Sequence, residues 1–185
     1  MKHITFIILL LTLALTGCEN DMAEVKRIIA QDEVAVERAK DVEVLYSDSA
    51  IVKIRIKAPE MMNYLDKNEP KREFNKGLSV DIFDENKKII SQLSAKFAIQ
   101  LLNEKKVTLT DSVEVVTLQN ERLQTEELIW DEIGERVYTD KYVKMSTATE
   151  IIYGYGFNSN LDFTKWNVKD VTGTIDASNV MQDIE

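Results

Sequence analysis

Leu93-Ser94-Ala95-Lys96-Phe97-Ala98-Ile99-Gln100-Leu101 is the stretch that decides the fold, set beside Leu123-Gln124-Thr125-Glu126-Glu127-Leu128-Ile129-Trp130-Asp131. In the first, Leu93, Ala95, Phe97, Ile99 and Leu101 fall on alternate positions, with Gln92, Ser94, Lys96 and Gln100 between them. A period of two belongs to a strand with one buried face. The second stretch lies thirty residues further on, and that offset superimposes more than one segment. Leu93 meets Leu123, Ala98 meets Leu128, Val107 meets Val137, Val113 meets Val143 and Val115 meets Met145, and a weaker third copy begins near Tyr153. Repeats of this length indicate units that stack and bury one another's faces.

The same texture extends outward on both sides. Val42, Val44 and Tyr46 alternate, and Val52, Ile54 and Ile56 alternate with Lys53, Arg55 and Lys57. Ala58-Pro59 is expected to end that strand, and Glu60 to Lys76 reads as a looser polar segment. Leu78, Val80 and Ile82 start a further strand, followed by a turn at Asp84-Glu85-Asn86-Lys87. Downstream, Val137 and Thr139, Val143 and Met145, and Ile151 to Phe157 keep the pattern. Short strands joined by charged turns predict an all-β chain: a sandwich, a barrel or a solenoid. Such a stack encloses an apolar interior between sheet faces and ends in sheet edges open to pairing. If the interior is an open trough, it suits an acyl chain, since burying roughly fourteen methylenes contributes about 11 kcal/mol gross. Gly154 and Gly156, which flank Tyr155, read as a bend, a close backbone approach or a bulge.

The N-terminus carries an address. Met1-Lys2-His3 is followed by an apolar run from Ile4 to Leu15, long enough for a secretory signal and too short to span a bilayer. It ends in Leu15-Thr16-Gly17-Cys18, which reads as a lipobox. The expectation is a signal peptide over 1–17, lipidation at Cys18, a tether over 18–40, a β domain over 41–177 and a tail over 178–185. Stable anchoring needs more than one acyl chain, which a diacylglyceryl thioether supplies.

Composition removes several function classes. The formal charge is −9, and loss of residues 1–17 takes one lysine and no acid, leaving 22 − 32 = −10. So acidic a chain is a poor partner for nucleic acid. The one histidine, His3, leaves with the signal, and the one cysteine is the lipidated one. Ser-His or Cys-His catalysis and histidine- or cysteine-based zinc sites are thereby excluded from the mature chain. Carboxylates at Asp84-Glu85 and at Asp131, Glu132 and Glu135 read as turn residues, with neither a catalytic residue nor a metal or cofactor expected.

Four stretches carry a family resemblance in their order along the chain: Tyr46-Ser47-Asp48-Ser49, Lys76-Gly77-Leu78-Ser79-Val80, Leu123 to Asp131, and Ile152-Tyr153-Gly154-Tyr155-Gly156-Phe157. With the lipobox, they make the chain resemble the LptC family from about Asp41 to Ile175. The resemblance implies an OstA-like antiparallel β-jelly-roll. It also implies transfer of lipopolysaccharide, without enzymatic chemistry, from an inner-membrane ABC transporter to a periplasmic LptA-like bridge protein. Carried over, the trough would be lined by Val80, Ile82, Leu93, Phe97, Val113, Val115, Leu128, Trp130, Val143 and Met145. A C-terminal edge for the bridge protein would involve Ile151, Tyr153, Tyr155, Val171 and Ile175. The expected place is the periplasm, anchored by lipid to the inner membrane, with the outer membrane as the other choice. Better-known members are anchored by a transmembrane helix, which a lipid would replace here. The rival reading is a membrane-anchored scaffold lipoprotein that docks envelope proteins through its sheet edges and carries no lipid.

Overall fold

The computed structural model describes residues 35–176, which form β-strands and connecting turns with no helix among them. The strands are β1 (Val36–Asp48), β2 (Ile51–Tyr64), β3 (Lys71–Phe74), β4 (Leu78–Phe83), β5 (Ile89–Ala95), β6 (Phe97–Leu101), β7 (Lys106–Thr117), β8 (Arg122–Asp131), β9 (Arg136–Ser146), β10 (Glu150–Ser159) and β11 (Trp166–Asp176). The signal peptide, Cys18, most of the expected tether and the tail lie outside the described residues. The tether differs where it can be seen: Val36 to Lys40 already belong to β1, paired with β2 from Tyr64 to Glu60.

All pairings are antiparallel and belong to one sheet folded on itself. The fold follows from how β2 and β7 are shared. Ile54 to Lys57 of β2 pair with β4, β4 pairs with β5, and β5 pairs with Glu114 to Thr117 of β7. Met62 to Tyr64 of β2 pair with β3, β3 pairs with β6, and β6 pairs with Lys106 to Thr110 of β7. Each long strand thus gives one half to a first sheet face and the other half to a second. β1 flanks β2 along both halves, and β8, β9, β10 and β11 continue in order beyond β7. The result is a β-jelly-roll: two facing sheets joined along a spine where the long strands bend.

Backbone chemistry along the spine explains the bend. Asp41, Asp111, Ser112 and Gly156 have φ of 51, 62, 54 and 79°. A bulge places Asp111 and Ser112 between the pairs Thr110–Glu127 and Val113–Thr125. Bulges of this kind kink a strand and raise its twist. Lys96 holds the corner where β5 passes into β6: its N–H donates to the carbonyl of Asp111 at 3.0 Å and its ammonium pairs with the Asp111 carboxylate at 3.1 Å. Pro59 sits on the same line and does not end β2 as expected. It lies between the part of β2 that pairs with β4 and the part that pairs with β3, where no ladder requires its missing N–H.

The thirty-residue repeat is written in the pairing itself. Leu93 pairs with Val115 and Leu123 with Met145; Gln100 pairs with Val107 and Trp130 with Val137; Leu101 pairs with Lys106 and Asp131 with Arg136. β5 and β6 together therefore correspond to the single strand β8, and β7 corresponds to β9. Lys105 and Glu135, thirty apart, both adopt left-handed turns, with φ of 52 and 50°. The third copy drifts: Ile152, thirty beyond Arg122, pairs with Thr174.

One buried carboxylate ties the first edge strand to this frame. Glu60 is 6% exposed and accepts hydrogen bonds from Arg38 of β1 and from Lys76, the latter at 3.1 Å. Arg38 first, and then Lys76, hold its pKa below the ordinary carboxylate range. A carboxyl with a depressed folded pKa stabilises fully above its unfolded pKa, about 4.3, and that contribution is lost as pH falls through the folded value. The urea midpoints of the wild type and of Glu60→Gln should therefore differ most near neutrality and converge as pH drops below about 4. A gap that stays constant down to pH 2 would assign the effect to packing alone.

Candidate functional site

Where the two sheets face each other, the alternation of every strand delivers one row of side chains inward. Leu128, Val137, Val143 and Ala98 are fully buried, and Leu93, Leu109, Val113, Val115 and Met145 are nearly so. Towards β1 and β2 the sheets do not close. A cavity of about 490 Å³ remains there, within the ~300–1,000 Å³ span of ligand pockets. Ile54, Ile56, Val80 and Leu93 form its wall on the first sheet; Phe74, Val107, Leu109 and Trp130 form the wall on the second. Its rim is polar, with Tyr46, Ser47, Asp48, Lys53, Lys105, Glu132 and Glu135.

Two structures bound the cavity. On the β1 side Tyr46 reaches from the first sheet to the second, where Gln100 Nε2 donates to its hydroxyl at 3.2 Å. On the other side the β10–β11 loop folds between the rims. Phe163 is 2% exposed, with φ of 61°, and meets Trp130 edge-to-face at 6.2 Å between centroids. Ser91 Oγ, from the first sheet, donates to the carbonyl of Asp162 in that loop at 3.0 Å. Trp166 Nε1 donates to Glu121 across the same gap at 3.0 Å. Leu161 of that loop lines the cavity, and Phe163 packs into the core against Trp130 of the cavity wall. Phe163→Ala should cost about 3–5 kcal/mol of stability and should loosen the packing beside the cavity wall, read as faster hydrogen exchange at the amides of β8 and β10.

The expected trough residues divide. Val80, Leu93 and Trp130 line the cavity. Ile82, Val113, Val115, Leu128, Val143 and Met145 belong to the packed core. Phe97 is placed differently from its expectation, because the alternation from Leu93 to Leu101 is broken at Lys96. Ala98, its neighbour in β6, is fully buried and pairs with buried Leu109. Successive strand residues point to opposite faces, so Phe97 is turned outward. The repeat carried this signal: Ala98 aligns with Leu128, which puts Phe97 at the place of Glu127.

The expected partner edge is also redrawn. β10 pairs with β9 on one side and β11 on the other, so Ile151, Tyr153 and Tyr155 lie inside the sheet. Among the described residues the free edges belong to β1 and β11. Val171 and Ile175 lie on β11 and are 53 and 45% exposed. Tyr155 is exposed on the outer face, edge-to-face with Tyr142 at 5.3 Å. Gly154 is a close-approach glycine: a Cβ there would come within 2.6 Å of the carbonyl oxygen of Asp170. Gly156 supplies the left-handed spine residue.

The carboxylates are structural. Asp84 accepts the N–H groups of Asn86 and Lys88, each at 2.8 Å, and the Lys88 N–H above all holds its pKa low. Asp131 is buried and accepts the Gly134 N–H at 2.9 Å. Among the described residues no group of three histidine, cysteine or acidic side chains could hold a metal ion. Sequence reading missed Phe74, which stands alone in a charged stretch whose strand is too short to show a period. Phe163 reads from the sequence only as a core aromatic, which it is, because no periodicity marks the place of a loop residue.

Two bent sheets enclosing an apolar interior define a β-jelly-roll with a cavity between its sheets. The family described as "Lipopolysaccharide-assembly, LptC-related" matches residues 4–176, and the chain belongs to that family. No curated protein matches it. Membership places the protein in lipopolysaccharide transport, among periplasm-facing envelope components that associate with the export machinery, in a family of transport components rather than enzymes. Among the described residues no helix is long and apolar enough to cross a membrane.

Proposed function

We propose that the cavity between the sheets receives acyl chains of lipopolysaccharide, and that the protein passes the lipid on without chemical change. The single observation that carries this reading is a cavity of about 490 Å³ with two apolar walls and a polar rim. That is the division an amphiphile requires: chains between the sheets, head group at the rim. Lipid would arrive from the inner-membrane ABC transporter and leave to an LptA-like bridge protein, and the edges of β1 and β11, open among the described residues, suit edge-to-edge docking of such neighbours. Lipidation at Cys18 would hold the domain in the periplasm beside the inner membrane, with residues 18–34 as the tether.

The rival scaffold reading uses the same two edges but leaves the cavity without a role. Lipid analysis separates them. The full chain, purified from its native envelope and extracted with organic solvent, should release lipopolysaccharide in stoichiometric proportion. Retained partner proteins with no extractable lipid would favour the scaffold.

A further inference from the structure

Arg72 is out of keeping with every other arginine among the described residues. Arg38 pairs with Glu60, Arg55 with Asp81, Arg122 with Glu114 and Arg136 with Asp131. Arg72 pairs with no carboxylate, in a chain with 32 acidic residues and 23 basic ones. It stands two positions before buried Phe74 in β3, so it shares that residue's inward face. Its Nη1 makes only long contacts, 3.5 Å to the Tyr46 hydroxyl and 3.5 Å to Gln100 Oε1. Its Nε is buried and has no partner at all. A buried guanidinium N–H without an acceptor is costly, and native proteins rarely leave one so.

Tyr46 and Gln100, which Arg72 touches, line the open cavity, and so do Lys53 and Lys105. The acids on that rim are partly engaged: Glu132 faces Lys105 at 3.9 Å, and Asp48 accepts from Ser49. Arginine presents a planar fork of donors suited to phosphate or carboxylate. We propose that Arg72, with Tyr46 and Gln100, forms a subsite for one anionic group, a phosphate monoester, of an amphiphile whose chain lies in the cavity. This rests on the acyl-binding reading and adds to it a fixed polar end. Binding would replace the long Tyr46 and Gln100 contacts by charge-assisted ones and give Arg72 the counter-charge that no carboxylate supplies.

Two amphiphiles that differ only in the head group test it. Decyl phosphate and decanol are titrated into the full chain, followed by the fluorescence of Trp130 in the cavity wall. Decyl phosphate should bind at least about tenfold more tightly than decanol, the span of a charge-assisted hydrogen bond. Arg72→Gln should abolish the difference while leaving decanol binding unchanged, and Arg72→Lys should restore part of it. Inorganic phosphate at millimolar concentration should not displace decyl phosphate; displacement would make the site one for free phosphate and overturn the amphiphile. Equal binding of both ligands to the wild type overturns the subsite and leaves the acyl cavity standing. Failure of both to bind overturns the cavity reading as well. If Arg72→Gln does not fold, Lys53→Gln and Lys105→Gln decide: the preference should survive both, and its loss in either would overturn the Arg72 subsite.

Discussion

A chain carrying Gly154→Val should lose β11 from the sheet. The Cβ alone would sit 2.6 Å from the Asp170 carbonyl oxygen and 2.7 Å from Val168 Cγ1. The first of these is backbone, so no rotamer change relieves it. β10 lies between β9 and β11, and its other neighbour is held by the bulge at Gly156, so the strand that must move is the outer one. Overpacking of this kind costs roughly 1–3 kcal/mol at a core site, and an edge strand has one ladder with which to resist it. Hydrogen exchange at residues 166–176 should therefore rise to near the free-chain rate while residues 106–146 stay protected. Global unfolding of both regions together would show that β11 is an integral part of the cooperative core. The variant should also lose any partner that pairs with the β11 edge.

A loss of similar size is expected at the centre of the fold. Leu128 is fully buried, between the two sheets and at the heart of the repeat. Leu128→Ala should cost about 2–5 kcal/mol, the span for leucine truncation in packed interiors. For a domain of this size that lowers the melting temperature by roughly 2–4 °C for each kcal/mol. The same truncation at Val107, which lines the open cavity, removes contacts on one side only and should cost much less. A similar loss at both would mean that the cavity closes in solution.

These two sites show how far the sequence could be read. Alternation from Val113 to Met145 identified strands, their inward faces and the offset of thirty, because a bent strand keeps its period on either side of a bulge. What alternation could not carry across was the bulge itself. At Lys96 the parity changes, so Phe97 leaves the interior although it continues the pattern from Leu93. Pro59 reads locally as a strand end, yet β2 runs through it, because the spine is where a missing N–H goes unnoticed. Tyr153 and Tyr155 announce a strand correctly, but whether a strand is an edge depends on what pairs beyond it, and Trp166 to Asp176 gives only a faint signal. The open cavity was least legible. Its boundaries are Tyr46 on one side and Leu161 on the other, residues from opposite ends of the described chain.

If the proposed function holds, lipid enters between the sheets and nowhere else. A photo-crosslinking amino acid placed singly at Val107, Trp130, Phe97 and Tyr155, in cells making lipopolysaccharide, probes both faces at once. Val107 and Trp130 border the cavity, strand alternation about buried Ala98 turns Phe97 away from the core, and Tyr155 is half exposed on the outer face. Lipopolysaccharide adducts are expected at Val107 and Trp130, and none at Phe97 or Tyr155. Equal capture on both faces, or none at the two inner positions, would overturn lipid entry between the sheets.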